Sequence, residues 1–237
     1  MRLFFLIAIS AIFFYSCKKC ECVDEKDPVN LTLQPNADEG QDAIVAIRAT
    51  DGGSGANANH SFIPEINVIQ WTYNAQGAGE GTNRSYLKFA GLSAIPAGSE
   101  IISAKLSLYG LSEAETTQSG AAPFGNSTYS GSPYTGSNKA WLKRVVGADW
   151  NEATINWVNK PSTTDNNQVE IPASTTHYNY DIIDLDITAM VKDIVNSKQN
   201  YGFCFQLQTE QIYRSLSFAA SEFQVASKRP KLIVQYK

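Results

Sequence analysis

Short stretches rich in β-branched and aromatic residues recur along most of this chain, each bounded by Gly, Asn, Ser or Pro, and that rhythm limits the folds open to it more than any other feature. They run from Ala43 to Ile47, Asn67 to Tyr73, Ser85 to Phe89, Ile101 to Tyr109, Ala140 to Val146, Thr154 to Trp157, Gly202 to Thr209, Leu216 to Ala219 and Lys231 to Tyr236. Strands this short, with turn residues rather than helical periods between them, predict an all-β fold, a jelly-roll-like β-sandwich, instead of a parallel α/β sheet. One short helix is expected to open near Thr188, with Met190, Val191, Ile194 and Val195 on one stripe and Asp186 or Thr188 placed to cap its first amides. Long loops are expected from Thr50 to Ser61 and from Ser112 to Asn138. A content of 43% hydrophobic and 11% aromatic residues is enough for one such core.

Alternation assigns faces, because successive strand side chains point to opposite sides of a sheet. Leu87 and Phe89 face inward, which leaves Arg84, Tyr86 and Lys88 on the other side; Ala104, Leu106 and Leu108 face inward, which leaves Lys105, Ser107 and Tyr109 outside. If the two strands are neighbours, Arg84, Tyr86, Lys88, Lys105 and Tyr109 share one cationic, aromatic face. Such a face suits a sugar chain: rings meet the apolar side of a pyranose, polar groups meet hydroxyls, and cations meet a uronate. An ordinary solvated strand face has the same make-up, so both readings stand. Trp71 and Tyr73 share a strand face and form either a second stacking platform or part of the core. Trp157, in phase with Ile155, is expected in the core, and Arg229 is expected to pair with Glu222 or Asp184.

The first residues carry a separate message. Arg2, an apolar run from Leu3 to Tyr15, then Ser16 and Cys17 have the layout of an export signal. The run is too short for a hydrocarbon core of about 30 Å, which takes roughly 20 residues. Phe14-Tyr15-Ser16-Cys17 resembles the lipobox of bacterial lipoproteins, which implies that Cys17 is diacylated and becomes the mature first residue; cleavage without acylation is the alternative. The expected organisation is a signal over 1–17, a polar tether over 18–40 and one domain over 41–237. That places the protein in the cell envelope, at the outer membrane or cell surface, touching the membrane through its lipid alone. A net charge of -4 at pH 7 argues against nucleic acid as a partner, since that binding is driven by clustered cations.

Little in the chain points to catalysis or a cofactor. His60 and His177 fall in expected loops, and no nucleophile elbow, phosphate loop or paired metal-ligating histidines occur. Asp149 and Glu152 are the carboxylates a glycosidase would need, and their separation in space decides that chemistry. Lys18-Lys19-Cys20-Glu21-Cys22 lacks a second ligand pair, and Cys204 sits in an apolar run as a small core residue. Asp181, Asp184 and Asp186 are oxygen donors of the kind calcium takes, without the spacing of an EF-hand, and helix capping accounts for Asp186 equally well. No cofactor is otherwise expected.

Several phrases, taken in order, resemble the DNRLRE domain, also described as carbohydrate-binding module family 96. They are Asn83 to Phe89, Ile95 to Ser99 leading into Ile101 to Tyr109, Trp150-Asn151-Glu152-Ala153-Thr154-Ile155-Asn156-Trp157 with Lys160-Pro161, Asp186-Ile187-Thr188, Asn200 to Phe203, Phe218 to Glu222 and Arg229 to Leu232. The resemblance runs from about Asp42 to the C-terminus and implies a jelly-roll sandwich displayed on bacterial surfaces, with acidic glycans among its ligands. The expected function is therefore a non-catalytic surface lipoprotein binding extracellular polysaccharide, uronic-acid-rich polymers included. A structural or adhesive envelope protein that binds another protein is the alternative, and a polysaccharide lyase or glycoside hydrolase the third.

Overall fold

The computed structural model describes residues 27–49, 55–74, 77, 79–119, 125–129, 131–134 and 136–237. The expected export segment, Cys17, Cys20 and Cys22 lie outside these residues, as do parts of both long loops. The strands are β1 (Val29–Leu33), β2 (Gly40–Arg48), β3 (Glu65–Thr72), β4 (Glu80–Phe89), β5 (Ile101–Leu108), β6 (Ala140–Val146), β7 (Ser162–Ile171), β8 (Ile182–Asp186), β9 (Phe203–Leu207), β10 (Arg214–Ala219) and β11 (Lys231–Tyr236). Helices α1 (Glu113–Ser119) and α2 (Thr188–Ser197) complete an all-β sandwich. Among the described residues no helix is long and apolar enough to cross a membrane.

One sheet runs β1-β11-β5-β8, and the other runs β10-β3-β4-β9-β6-β7 with β2 also paired to β4. Strand β4 organises the larger sheet. It pairs with β2 from Gly81 to Phe89, with β3 over Glu80–Asn83 and with β9 over Ser85–Leu87. A strand has only two edges, so β3 and β9 share the one that β2 leaves, and the sheet forks there. At the fork the Ser85 hydroxyl donates to the Asn67 carbonyl (2.7 Å) and accepts from the Asn67 amide (2.9 Å), standing in for the ladder where β3 parts from β4.

Between the sheets lies the main core, with Leu87 and Phe89 of β4, Leu106 and Leu108 of β5, Phe203 and Phe205 of β9, and Leu232 and Val234 of β11. Met190, Val191, Ile194 and Val195 of α2 join it, the stripe read from the sequence. Asp186 Oδ1 accepts the Thr188 amide at 3.0 Å, while Thr188 Oγ1 accepts the Ala104 amide and ties the helix to β5. Gly202 shows why only glycine suits the turn into β9: φ is 76° and a Cβ would stand 2.3 Å from the Leu87 carbonyl oxygen.

The structure corrects several expectations. Val29–Leu33, placed in the polar tether, is the edge strand paired with β11, so the sandwich starts well before residue 41. Strands β7 and β8 had no apolar alternation to announce them, and α1 is a second helix inside the expected Ser112 to Asn138 loop. Thr154 to Trp157 is no strand. Arg229 donates to the Phe223 carbonyl at 2.9 Å rather than pairing with Glu222 or Asp184.

Candidate functional site

The outward row of β4 reads Arg84, Tyr86, Lys88, as the alternation requires, but it is not open to solvent along its length. The segment from Gly147 to Pro161 crosses it, and each member of the row meets one part of that lid. The Lys88 ammonium donates to Asp149 Oδ1 at 2.8 Å and stands 5.8 Å from the Trp150 ring. Tyr86 donates its hydroxyl to the Pro161 carbonyl (3.1 Å) and meets the Trp150 ring edge-on at 5.8 Å. Arg84 lies 5.1 Å from the centre of the Trp157 ring. Beneath the lid Tyr86, Trp150, Ile155 and Cys204 pack with Ala43, Val45 and Val145 as a second apolar cluster, against which half-buried Trp157 rests.

Asparagines shape the lid. Asn151 Oδ1 accepts the Ala153 amide, Asn156 Oδ1 the Val158 amide and Asn159 Oδ1 the Asn156 amide, all at 2.7–2.9 Å. Side-chain acceptors of this kind replace a strand ladder with consecutive tight turns, which is why Thr154 to Trp157 does not extend. The Trp150 indole donates to the Tyr201 carbonyl at 2.8 Å and pins the lid to the turn before β9.

Two features open to solvent. The first is a groove of about 510 Å³ lined by Gln41, Lys88, Asp149, Trp150, Asn151 and Asn159 among others. Burial would raise the Asp149 carboxyl, but the Lys88 hydrogen bond holds it below the usual range, so it stays ionised and is a poor proton donor. The second is the exposed part of the half-buried Trp157 ring, with Lys160 4.1 Å and Arg84 5.1 Å from its centre. Lys160 donates to the Trp157 carbonyl (2.7 Å), and its proton affinity is lowered by burial and by the charge of Arg84. Arg84 makes a two-pronged pair with Glu210, 2.8 and 3.0 Å, at 22% side-chain exposure.

The sequence-predicted residues do not form one face. Strands β4 and β5 lie in different sheets, so Lys105 and Tyr109 look out from the opposite side of the sandwich to Arg84, Tyr86 and Lys88. There Lys105 pairs with Asp186 at 2.8 Å, which pulls the Asp186 carboxyl well below its usual range, and Lys231 reaches toward the Tyr109 ring. Trp71 is 6% exposed and is covered by Tyr134 and Tyr213, while Arg48 caps the Tyr73 ring at 4.0 Å. Neither presents a free face, because loop residues close over Trp71 and the last residue of β2 over Tyr73.

The acidic residues are also dispersed. Asp181 accepts the Gly110 amide and Asp184 meets Ser107, so with Asp186 on Lys105 the three do not converge. Among the described residues no group of three or more His, Cys, Asp or Glu side chains is arranged to hold a metal ion. Glu152 is not among the residues lining the groove and turns to a buried pair of acids, Asp42 and Glu222. Burial and then the neighbouring Glu222 push the Asp42 carboxyl well up, and Ser221 donates to it from both its amide and its hydroxyl. Asp149 and Glu152 therefore do not face each other across the groove. Cys204 is a buried free thiol pushed up to about 11 by its burial, an inert core residue.

Residues 129–236 match Carbohydrate-binding module family 96. The matched stretch, a little under half of the chain, is similar to that family. The match begins at Tyr129 and so leaves out β1 to β5, although the resemblance read from the sequence began near Asp42. The family-96-like stretch does not close on itself: β9 pairs with β4, and β11 pairs with β1 and β5. Trp157 and Lys160 fall inside the matched stretch and Arg84 outside it, so the basic clasp on the ring joins the two. No curated protein matches the chain.

Lys160 is the candidate residue that the alternation of the strands did not single out. The signal was present in Asn156-Trp157-Val158-Asn159-Lys160, where asparagines three residues apart mark a turn able to fold a lysine back on an indole.

Proposed function

We propose that the protein is a non-catalytic surface lipoprotein whose domain holds an acidic polysaccharide on the Arg84–Trp157–Lys160 clasp, with the Lys88 groove beside it. The observation that carries this reading is one indole flanked by two cations in a domain of carbohydrate-binding type. A uronate carboxylate placed over the half-buried Trp157 ring relieves the repulsion between Lys160 and Arg84. Ionised, lysine-bound Asp149 and inward-turned Glu152 support binding without cleavage.

Affinity electrophoresis of the full-length chain through gels containing polyuronate tests this. Strong retardation is expected at low salt and weaker retardation at 0.5 M salt, where screening is short-ranged. Lys160→Ala should weaken retention about tenfold, the loss of one charge-assisted contact, with an unchanged circular dichroism spectrum. Folded protein that no polyuronate retards would end the acidic-glycan reading. For the anchor, mass spectrometry of the mature protein should find Cys17 as its first residue carrying diacylglycerol; a mature N-terminus elsewhere, or a free Cys17 thiol, sinks that part alone.

A further inference from the structure

A second cleft, of about 640 Å³, opens at the other end of β4, between Glu80, the turn from Glu210 to Tyr213, and Tyr134. Its chemistry differs from that of the basic clasp. Tyr134 and Tyr213 stack at 4.7 Å with their planes 17° apart, and both stand edge-on over Trp71, at 5.1 and 5.3 Å. Tyr134 is 37% exposed, with one face stacked on Tyr213 and Trp71 edge-on to both rings. The polar groups around it are the Glu80 and Glu210 carboxylates, the Gln211 amide and the Arg214 guanidinium, which is 9% exposed and donates to Gln211 Oε1 (3.3 Å) and the Ile212 carbonyl (3.4 Å).

The chain is committed to holding this shape. Tyr213 sits at φ 66°, a left-handed conformation that an aromatic residue with a Cβ rarely adopts and that survives only where its surroundings enforce it. The loop bearing Tyr134 is brought down by Gly136, at φ 101°, which passes so close to Arg214 that a Cβ would stand 1.8 Å from its Nη2. Thr128 donates its hydroxyl to the Gly136 carbonyl from the near side of the same loop. A residue held this way presents its ring without first having to be ordered, which lowers the cost of binding.

We infer that this cleft is a second saccharide site that takes an uncharged pyranose, stacked on Tyr134 with its hydroxyls donating to Glu80 and Glu210. The ring face supplies the apolar contact, and carboxylates accept hydroxyl hydrogens while repelling a uronate. A chain bearing both neutral and acidic sugars meets the two sites with opposite ends. Lys88 and Glu80 are eight residues apart on β4, about 27 Å at a rise of about 3.4 Å per residue, and the Arg84–Glu210 pair stands between them. The inference rests on the carbohydrate-binding reading, but not on the acidic clasp.

Affinity electrophoresis of the full-length chain in gels of soluble β-glucan, galactomannan or starch reads the neutral site. At least one should retard the protein in a way that 0.5 M salt leaves unchanged. Tyr134→Ala should weaken that retention about tenfold and Tyr134→Phe less than threefold, since phenylalanine keeps the ring face. Polyuronate retention should stay within twofold in both, whereas Lys160→Ala should show the reverse pattern. Failure of all three neutral polymers to retard folded protein, or unchanged retention in Tyr134→Ala, overturns the second site. Loss of polyuronate binding alone overturns the clasp and leaves this cleft standing.

Discussion

Trp150→Ala should cost the fold about 3–5 kcal/mol, the range for emptying a large aromatic site in a packed interior. The ring is 8% exposed, packs edge-on against Tyr86 and donates to the Tyr201 carbonyl, so its loss opens a void in the second apolar cluster and orphans an acceptor. The functional consequence follows from the same contacts. Trp150 anchors the lid that carries Trp157 and Lys160, so polyuronate retention should fall with stability, whereas the Tyr134 cleft, built on β3 and the β9–β10 turn, should keep its neutral ligand. Guanidinium unfolding should show a lower midpoint at an unchanged slope. A cost under 1 kcal/mol would show that the lid rests on the sheet without belonging to its core.

Glu65→Gln should raise stability at pH 8 by up to about 3 kcal/mol and remove a pH dependence that the native chain shows between pH 4.5 and 7. Glu65 is 1% exposed at the start of β3; its Oε2 accepts only a long bond from Asn67 (3.4 Å) and its Oε1 has no partner. Burial raises the carboxyl from an ordinary 4.5 to about 7, with the Asn67 bond pulling weakly the other way. The folded chain thus holds this proton more tightly than the unfolded chain does. Its contribution is fully present below pH 4.5 and is lost as pH climbs to about 7, at about 1.4 kcal/mol per pH unit. Glutamine cannot ionise and keeps an acceptor for Asn67. Denaturant midpoints at pH 5, 6, 7 and 8 for both proteins measure it, and a difference that does not widen with pH would refute the buried, protonated Glu65. Asp42, Glu152 and Glu222, all raised by burial, contribute to the slope that remains in the variant.

Strands with one apolar face were legible because period-two alternation is a property of the chain alone. Strands β6 and β11 carry the bounds read from the sequence, and β5 ends one residue short of them. Strand β7, Ser162-Thr163-Thr164-Asp165-Asn166-Asn167-Gln168-Val169-Glu170-Ile171, is polar over its first seven residues and reaches the core only through Val169 and Ile171, too short an apolar pattern to mark it. It is held by backbone pairing with β6, and backbone groups are identical in every residue. Strand β1 does alternate, through Val29, Leu31 and Leu33, with both leucines packed on the core, but it is a short edge strand in an otherwise polar stretch.

The candidate site divides along the same line. The placing of Arg84, Tyr86 and Lys88 opposite Leu87 and Phe89 was determined locally, by the pleat. Which sheet β5 joins, and therefore that Lys105 and Tyr109 look away from Arg84, depends on which strands pair across long stretches of chain. So does the covering of the β4 row by a lid some sixty residues further on, as the Lys88–Asp149 bond shows. The sequence by itself determined that the chain forms short one-faced strands and a single amphipathic helix, because a residue's neighbours at two and at three to four positions set those periods. Only the tertiary structure decided which outward faces stay open, because cover comes from residues distant in sequence and close in space, and no local period encodes that distance.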